Sequence, residues 1–131
     1  MSSKITIIGA GQVGSTIAFA LTLKQLASEI VMIDIAKDRA MGEAMDIRQG
    51  TPFVGPVYIH DGDYEDAKDS NIVVLTSGVA RKAGQSRLDL AQINVDITKS
   101  IPVVFCKTSY DWLPTLSLST PKCESNIIKY G

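Results

Sequence analysis

The stretch Lys4-Ile5-Thr6-Ile7-Ile8-Gly9-Ala10-Gly11-Gln12-Val13-Gly14 decides the fold. Its first five residues are mostly apolar and β-branched, as in a buried strand, and the glycines that follow open a helical run to about Gln25. A second strand is expected over Glu29–Ile33, closed by Asp34. Each residue type has a physical job. Gly9 permits a tight turn, Gly11 lets the backbone approach a pyrophosphate, and Gly14 lets the helix pack close to the strand. The helix N-terminus then presents unpaired N–H groups and a positive dipole end to bound phosphate. Asp34 ends the second strand, where a carboxylate accepts the adenosine ribose hydroxyls and repels a 2′-phosphate, so NAD is favoured over NADP. Strand, glycine turn, helix and acid together read as a dinucleotide-binding unit, with Gly9, Ala10, Gly11, Gln12, Val13, Gly14 and Asp34 as its cofactor-binding candidates.

The rest of the chain repeats the alternation. In the first helix Val13, Ile17 and Leu21 form the stripe expected to face a sheet, and Phe19, Leu23 and Leu26 form a second apolar face. A second helix, Lys37 to Gln49, carries Ala40, Ala44 and Ile47 on one stripe and Met41 and Met45 on another. Val57-Tyr58-Ile59 reads as a short strand stopped by Asp61-Gly62, and a short helix is expected from Tyr64 to Asp69. Ile72-Val73-Val74-Leu75-Thr76 is a continuous β-branched run, as in a parallel strand buried on both faces. Strands alternating with helices imply an α/β fold, a Rossmann-type doubly wound parallel sheet with four strands in this stretch. A further helix, Arg87 to Ile101, starts with a capping box in which Asp89 faces Ser86 and buries Leu90, Ile93, Ile97 and Ile101. Arg87 at its first position opposes the helix dipole, a placement that makes poor sense for stability alone.

Bulk composition removes several function classes. At 131 residues, 45% hydrophobic and 21% charged with net charge −1, the chain has the make-up of a single soluble globule, and its charge gives no footing for nucleic acid or an anionic membrane surface. No apolar run approaches the ~20 residues of a membrane span. The first strand begins at once after Met-Ser-Ser, so no leader is expected and a cytoplasmic location follows by default. Cys106 and Cys123 lack metal-ligand spacing, so neither a disulfide framework nor a metal site is expected.

The segment Gly78-Val79-Ala80-Arg81-Lys82-Ala83-Gly84-Gln85-Ser86-Arg87-Leu88-Asp89-Leu90 resembles the mobile active-site loop of the lactate/malate dehydrogenase family, and the resemblance extends from Lys4 through Ile101. It implies an NAD-dependent oxidoreductase acting on a small-molecule substrate. Arg87 resembles the arginine that polarises the substrate carbonyl, and Arg81 the residue that reads the far end of the substrate. Lactate-specific relatives usually carry glutamine there, whereas an arginine can pair bidentately with the second carboxylate of oxaloacetate or malate. Asn94 resembles a family asparagine near the nicotinamide end of the cofactor. Ala83 departs from the pattern, since proline is usual, and leaves the loop more freedom to lose on closing. The resemblance also implies burial of the second apolar faces against a partner subunit, hence a homo-oligomer.

The family's proton-transferring histidine, its aspartate and a carboxylate-anchoring arginine come from a catalytic half that finds no match in this chain, so no complete catalytic set is expected. His60 is the one histidine and reads as an ordinary surface residue. On this reading residues 1–102 form a partial NAD-binding domain and 103–131 a divergent or inserted tail. Val103–Ser125 resembles nothing in the family, and Asn126–Gly131 looks again like a continuation of its helix. The alternative for the tail is a divergent segment in which Val103-Val104-Phe105 adds an edge strand. A regulatory NAD-sensing module is the rival function, against which Arg81 to Asn94 speaks, since a sensor has no need of that loop; a lactate dehydrogenase-like fragment is another.

Overall fold

In the computed structural model, which describes residues 3–79 and 82–108, the elements run β1 (Lys4–Ile8), α1 (Gln12–Leu23), β2 (Glu29–Ile33), α2 (Lys37–Gly50), β3 (Tyr58–Asp61), β4 (Ile72–Leu75) and α3 (Arg87–Thr108). Short 3₁₀ turns, Thr51–Phe53 and Tyr64–Ala67, flank β3, so the helix expected from Tyr64 is a single tight turn. Asp63 and Asp66 cap it reciprocally. The chain divides into two compact units, Met1–Ser77 and Gly78–Gly131.

In the first unit four parallel strands lie in the order β3-β2-β1-β4. Ile5 pairs with Ile30 on β2 and Ile72 on β4, and the two most deeply buried strands, β1 and β2, occupy the middle of the sheet. Ile7, Ile30, Met32 and Ile59 are fully buried there, and Ala40, Ala44 and Ile47 of α2 close over them as their spacing predicts. Thr6, in the middle of β1, is also fully buried. Its hydroxyl donates to Ser70 Oγ at 2.6 Å, which donates in turn to the Ala67 carbonyl at 2.7 Å, so neither polar group is left unpaired.

α1 corrects the expected stripe. Val13 is 63% exposed, and the residues that face the sheet are Gly14, Ala18 and Thr22, with Ile17 and Leu21 packed at the margin. Small side chains win that face because they let the helix backbone approach the strands, and Thr22 hides its hydroxyl on the Ala18 carbonyl at 2.9 Å. β4 is a second correction. It is an edge strand among the described residues, and its burial is partial, with Ile72 and Leu75 exposed. Phe19, Leu23, Leu26, Met41 and Met45 are all exposed, as the second apolar faces of α1 and α2 require.

In the second unit the Ser86–Asp89 capping box is present. Asp89 Oδ2 takes the Ser86 hydroxyl at 2.6 Å and the Ser86 N–H at 3.2 Å, while Ser86 Oγ receives the Asp89 N–H at 3.1 Å. The Ser86 side-chain bond, then its backbone bond, hold the Asp89 carboxyl below the usual aspartate range. Of the expected stripe Ile101 is buried and Leu90 and Ile97 half-buried, but Ile93 is exposed. The helix does not stop at Ile101. Its backbone stays helical through Pro102 to Thr108, which removes the edge strand considered for Val103-Val104-Phe105. The remainder of the tail, 109–131, lies outside the described residues. Among the described residues no helix is long and apolar enough to cross a membrane.

Candidate functional site

The carboxyl ends of β1, β2 and β4 converge on the glycine turn. Gly9 sits at φ +108°, a conformation that L side chains rarely adopt, and a Cβ there would lie 2.6 Å from the Ser77 nitrogen and 2.8 Å from the Thr76 carbonyl carbon. Gly9 N–H donates to the Ile33 carbonyl at 2.7 Å, and Thr76 Oγ1 donates to the Gly9 carbonyl at 2.9 Å, so both neighbouring strands hold the turn. Gly14 is required by packing: a Cβ on it would overlap the Gly9 carbonyl oxygen and stand 2.9 Å from Thr76 Oγ1. The assignment of close helix–strand packing to Gly14 and of the turn to Gly9 therefore has a geometric basis.

Gly11 behaves differently. It is the N-cap of α1 with φ −77°, open to any residue, and a Cβ on it would meet nothing within 4 Å. The fold itself gives no reason for glycine at this position, and the vacant volume in front of it is a cradle that a side chain would fill. No side chain caps the helix there and no acid stands in its first turn, so its first N–H groups and positive dipole end are left to an anion. Gln12 and Val13, the next two candidates, are exposed on this first turn.

Asp34 is fixed by the same turn. Its Oδ2 accepts the Ala10 N–H at 2.7 Å and its Oδ1 the Ala36 N–H at 2.9 Å, which orients the carboxylate at the end of β2. Each oxygen keeps a lone pair for a further donor, as a ribose diol needs. Ala10 thus acts through its backbone, a role its side chain does not announce. Tyr64 is a residue that sequence reading passed over. Burial, and secondarily the Asp34 charge, hold its hydroxyl above the usual tyrosine range. Ile35, next to Asp34, is 86% exposed and adds apolar surface there. Lys37, the first cation after Asp34, is bound to Asp63 at 2.7 Å, and that hydrogen bond and charge hold its ammonium above the usual lysine range. The pair lies on the surface, with both side chains largely exposed. The glycine turn, Asp34 and the helix end fit the adenosine and pyrophosphate of a dinucleotide.

The second unit holds the other candidates. Asn94 Oδ1 accepts the Val79 N–H at 2.8 Å, tying the start of the loop to α3. Lys82–Gln85 forms a turn with Gly84 at φ +85°, closed by the Gln85 N–H to the Lys82 carbonyl at 3.2 Å. Arg87 is exposed at the first position of α3 and has no ion-pair partner among the described residues. Arg81 lies outside the described residues. His60 is less ordinary than expected. Its Nε2 lies 3.1 Å from Glu29 Oε1 and its Nδ1 2.8 Å from the Asp61 carbonyl, on β3, with Lys4 Nζ 3.5 Å from the same Glu29 oxygen. No group of metal-ligating side chains occurs among the described residues.

Comparison with known proteins bears on the whole of this geometry. Residues 3–112 match the family model for the lactate/malate dehydrogenase NAD-binding domain. An L-lactate dehydrogenase of Clostridium perfringens (strain SM101 / Type A) is 58% identical over 100 residues, covering 76% of this chain and 32% of that protein. The minor L-lactate dehydrogenase of Enterococcus mundtii, in a ligands-bound form, superposes with a TM-score of 0.82 at 38% identity, over 87% of this chain and 37% of its own. The malate dehydrogenase of Archaeoglobus fulgidus in complex with NADH gives 0.74 at 41% identity, over 82% and 37%. The chain spans about a third of the length of the relatives it matches. It belongs to the lactate/malate dehydrogenase family, of which it carries the NAD-binding domain.

Proposed function

We propose that this chain is the cofactor-binding portion of an NAD-dependent malate dehydrogenase, with malate and oxaloacetate as substrates. The observation that carries the choice of substrate is an arginine, Arg81, at the loop position that reads the far end of the substrate. A guanidinium there matches a second carboxylate bidentately, and a neutral methyl group leaves it unpaired. Arg87 is assigned to the substrate carbonyl and Asn94 to the nicotinamide end of the site. Gly9, Ala10, Gly11, Gln12, Val13, Gly14 and Asp34 are assigned to the adenosine and pyrophosphate. The bound cofactor supplies the hydride acceptor or donor. The chain's own residues orient it and hold the substrate's negative charge. Residues 103–131 are taken as a divergent or inserted tail.

Lactate is the second reading, favoured by the names of relatives at 51–58% identity, which are L-lactate dehydrogenases. One measurement separates the two. In a chain extended to full family length, Arg81→Gln is expected to lower kcat/KM for oxaloacetate by about 10- to 100-fold, the worth of a lost charge-assisted pair, with far less effect on pyruvate. An unchanged ratio of the two substrates would return the assignment to lactate.

Assembly into a homo-oligomer and a cytoplasmic location belong to the same reading. Phe19, Leu23 and Leu26 on α1 and Met41 and Met45 on α2 leave two apolar helix faces in water, and self-association is the expected outcome. Sedimentation at rising concentration checks it, and a strictly monomeric, soluble species would exclude it.

A further inference from the structure

From Lys82 to Asp89 every residue is exposed except Gln85, which is half-buried. Packing therefore does little to fix this stretch, and its hydrogen bonds carry the conformation. They come as two reciprocal pairs in succession. Gln85 N–H donates to the Lys82 carbonyl at 3.2 Å, and Gln85 Oε1 accepts the Lys82 N–H at 3.1 Å, so both backbone polar groups of Lys82 are tied to one residue. Ser86 and Asp89 then exchange bonds in the same manner, Ser86 Oγ taking the Asp89 N–H at 3.1 Å and Asp89 Oδ2 the Ser86 N–H at 3.2 Å. Arg87 follows Ser86 directly, at the first position of α3.

The two pairs do different things. The capping box fixes the first turn of the helix, and the Lys82–Gln85 pair fixes the chain that enters it. A bond from the fourth residue back to the first, with Gly84 at φ +85° in the third place, is the pattern of a type II turn. Such a turn favours proline in its second place, because a fixed φ removes freedom from the open chain beforehand. Alanine stands there, as Ala83, so the backbone bond closes the turn without that help. The Gln85 side chain supplies a second bridge across the same four residues, and a turn held by two bridges opens less readily than a turn held by one.

We propose that Gln85 is a positioning residue for Arg87: its side chain locks the turn before α3 and so holds the backbone from which the guanidinium extends. This rests on the assignment of Arg87 to the substrate carbonyl. A cation that must meet one oxygen as charge develops on it loses effect when its base wanders, because the arrangement has to be made before the reaction rather than during it. The lock is exposed and local, so its contribution falls on rate rather than on the stability of the domain.

In the 131-residue chain, exchange of the Lys82 amide hydrogen is expected to be about two- to tenfold slower in the wild type than in Gln85→Met, which keeps the length of the side chain and removes the acceptor. In a chain extended to full family length, Gln85→Met is expected to lower kcat by about three- to tenfold, with KM, NAD affinity and the thermal midpoint near those of the wild type. Gln85→Glu keeps an acceptor oxygen and retains activity. Ala83→Pro in the Gln85→Met background recovers about two- to fivefold, since the ring replaces the lost bridge. With Arg87→Ala already in place, Gln85→Met lowers the rate no further. Equal exchange at Lys82 in the two chains overturns the proposal, as does an unchanged kcat, a loss that persists undiminished beside Arg87→Ala, or a loss matched by a lower midpoint, the mark of a structural role. An Arg87→Ala chain with full turnover overturns the reading of Arg87 itself, a distinct result.

Discussion

Gly14→Ala markedly lowers the stability of the first unit, whereas Gly11→Val leaves it nearly unchanged and abolishes most cofactor binding. At Gly14 the new Cβ would overlap the Gly9 carbonyl oxygen and crowd Thr76 Oγ1 at 2.9 Å. Neither obstacle is the end of a flexible side chain, since Thr76 Oγ1 is itself bonded to the Gly9 carbonyl. Relief requires lifting α1 off β1 and β4, which uncovers the face held by Ala18 and Thr22. Forced overpacking of this kind costs about 1–3 kcal/mol or more, against a total stability of about 5–15 kcal/mol for an ordinary domain. At Gly11 a side chain enters empty space at an ordinary φ, so the fold loses at most about 1 kcal/mol at the helix cap. What it fills is the cradle before the helix N-terminus, and a fall of at least about tenfold in NAD affinity is expected from a blocked pyrophosphate contact. Thermal unfolding followed by circular dichroism, with NAD titration, separates the two effects. A Gly14→Ala chain melting with the wild type, or a Gly11→Val chain binding NAD normally, would contradict the assignment.

The second large effect is on catalysis. The 131-residue chain assayed by itself is expected to give no oxaloacetate-dependent oxidation of NADH. Its one histidine, His60, sits on β3, at the far side from β4 of the sheet formed by the described residues, with its ring nitrogens facing Glu29 and the Asp61 carbonyl. A general acid–base partner is worth about 10²–10⁴ in rate, and precise substrate positioning contributes further orders of magnitude. Arg87 is exposed and unpaired among the described residues, ready for an anion, but it neither takes a proton nor holds a substrate against a reacting carbon. The assay is run beside Arg87→Ala. Turnover near that of an intact dehydrogenase, lost in that variant, would show that His60 or the tail supplies chemistry denied to them here.

Where the local pattern is strong, reading the residues in order reached the structure. β1, β2 and α2 run within a residue of their expected bounds, since each combines β-branched or helical periodicity with a clear stop. The Ser86–Asp89 box is a contact between residues three apart, and its geometry follows from spacing alone. α3 ran past its expected end because Pro102 falls inside helical backbone, where local rules call for a stop.

The sequence by itself determined the parallel α/β alternation, the positions of the glycine turn and Asp34, and the capped start of α3 at Arg87. All of these are set by residue type at short range. Tertiary structure decided which face of α1 is buried. Periodicity selects Val13, Ile17 and Leu21, but close approach to the sheet admits Gly14, Ala18 and Thr22, because backbone separation rather than hydrophobicity limits that contact. It also decided that Thr6 donates to Ser70 and that Ala10 and Ala36 aim Asp34. Most of those relations join atoms more than twenty residues apart, and no local pattern encodes them, because the packing of neighbouring strands brings them within reach.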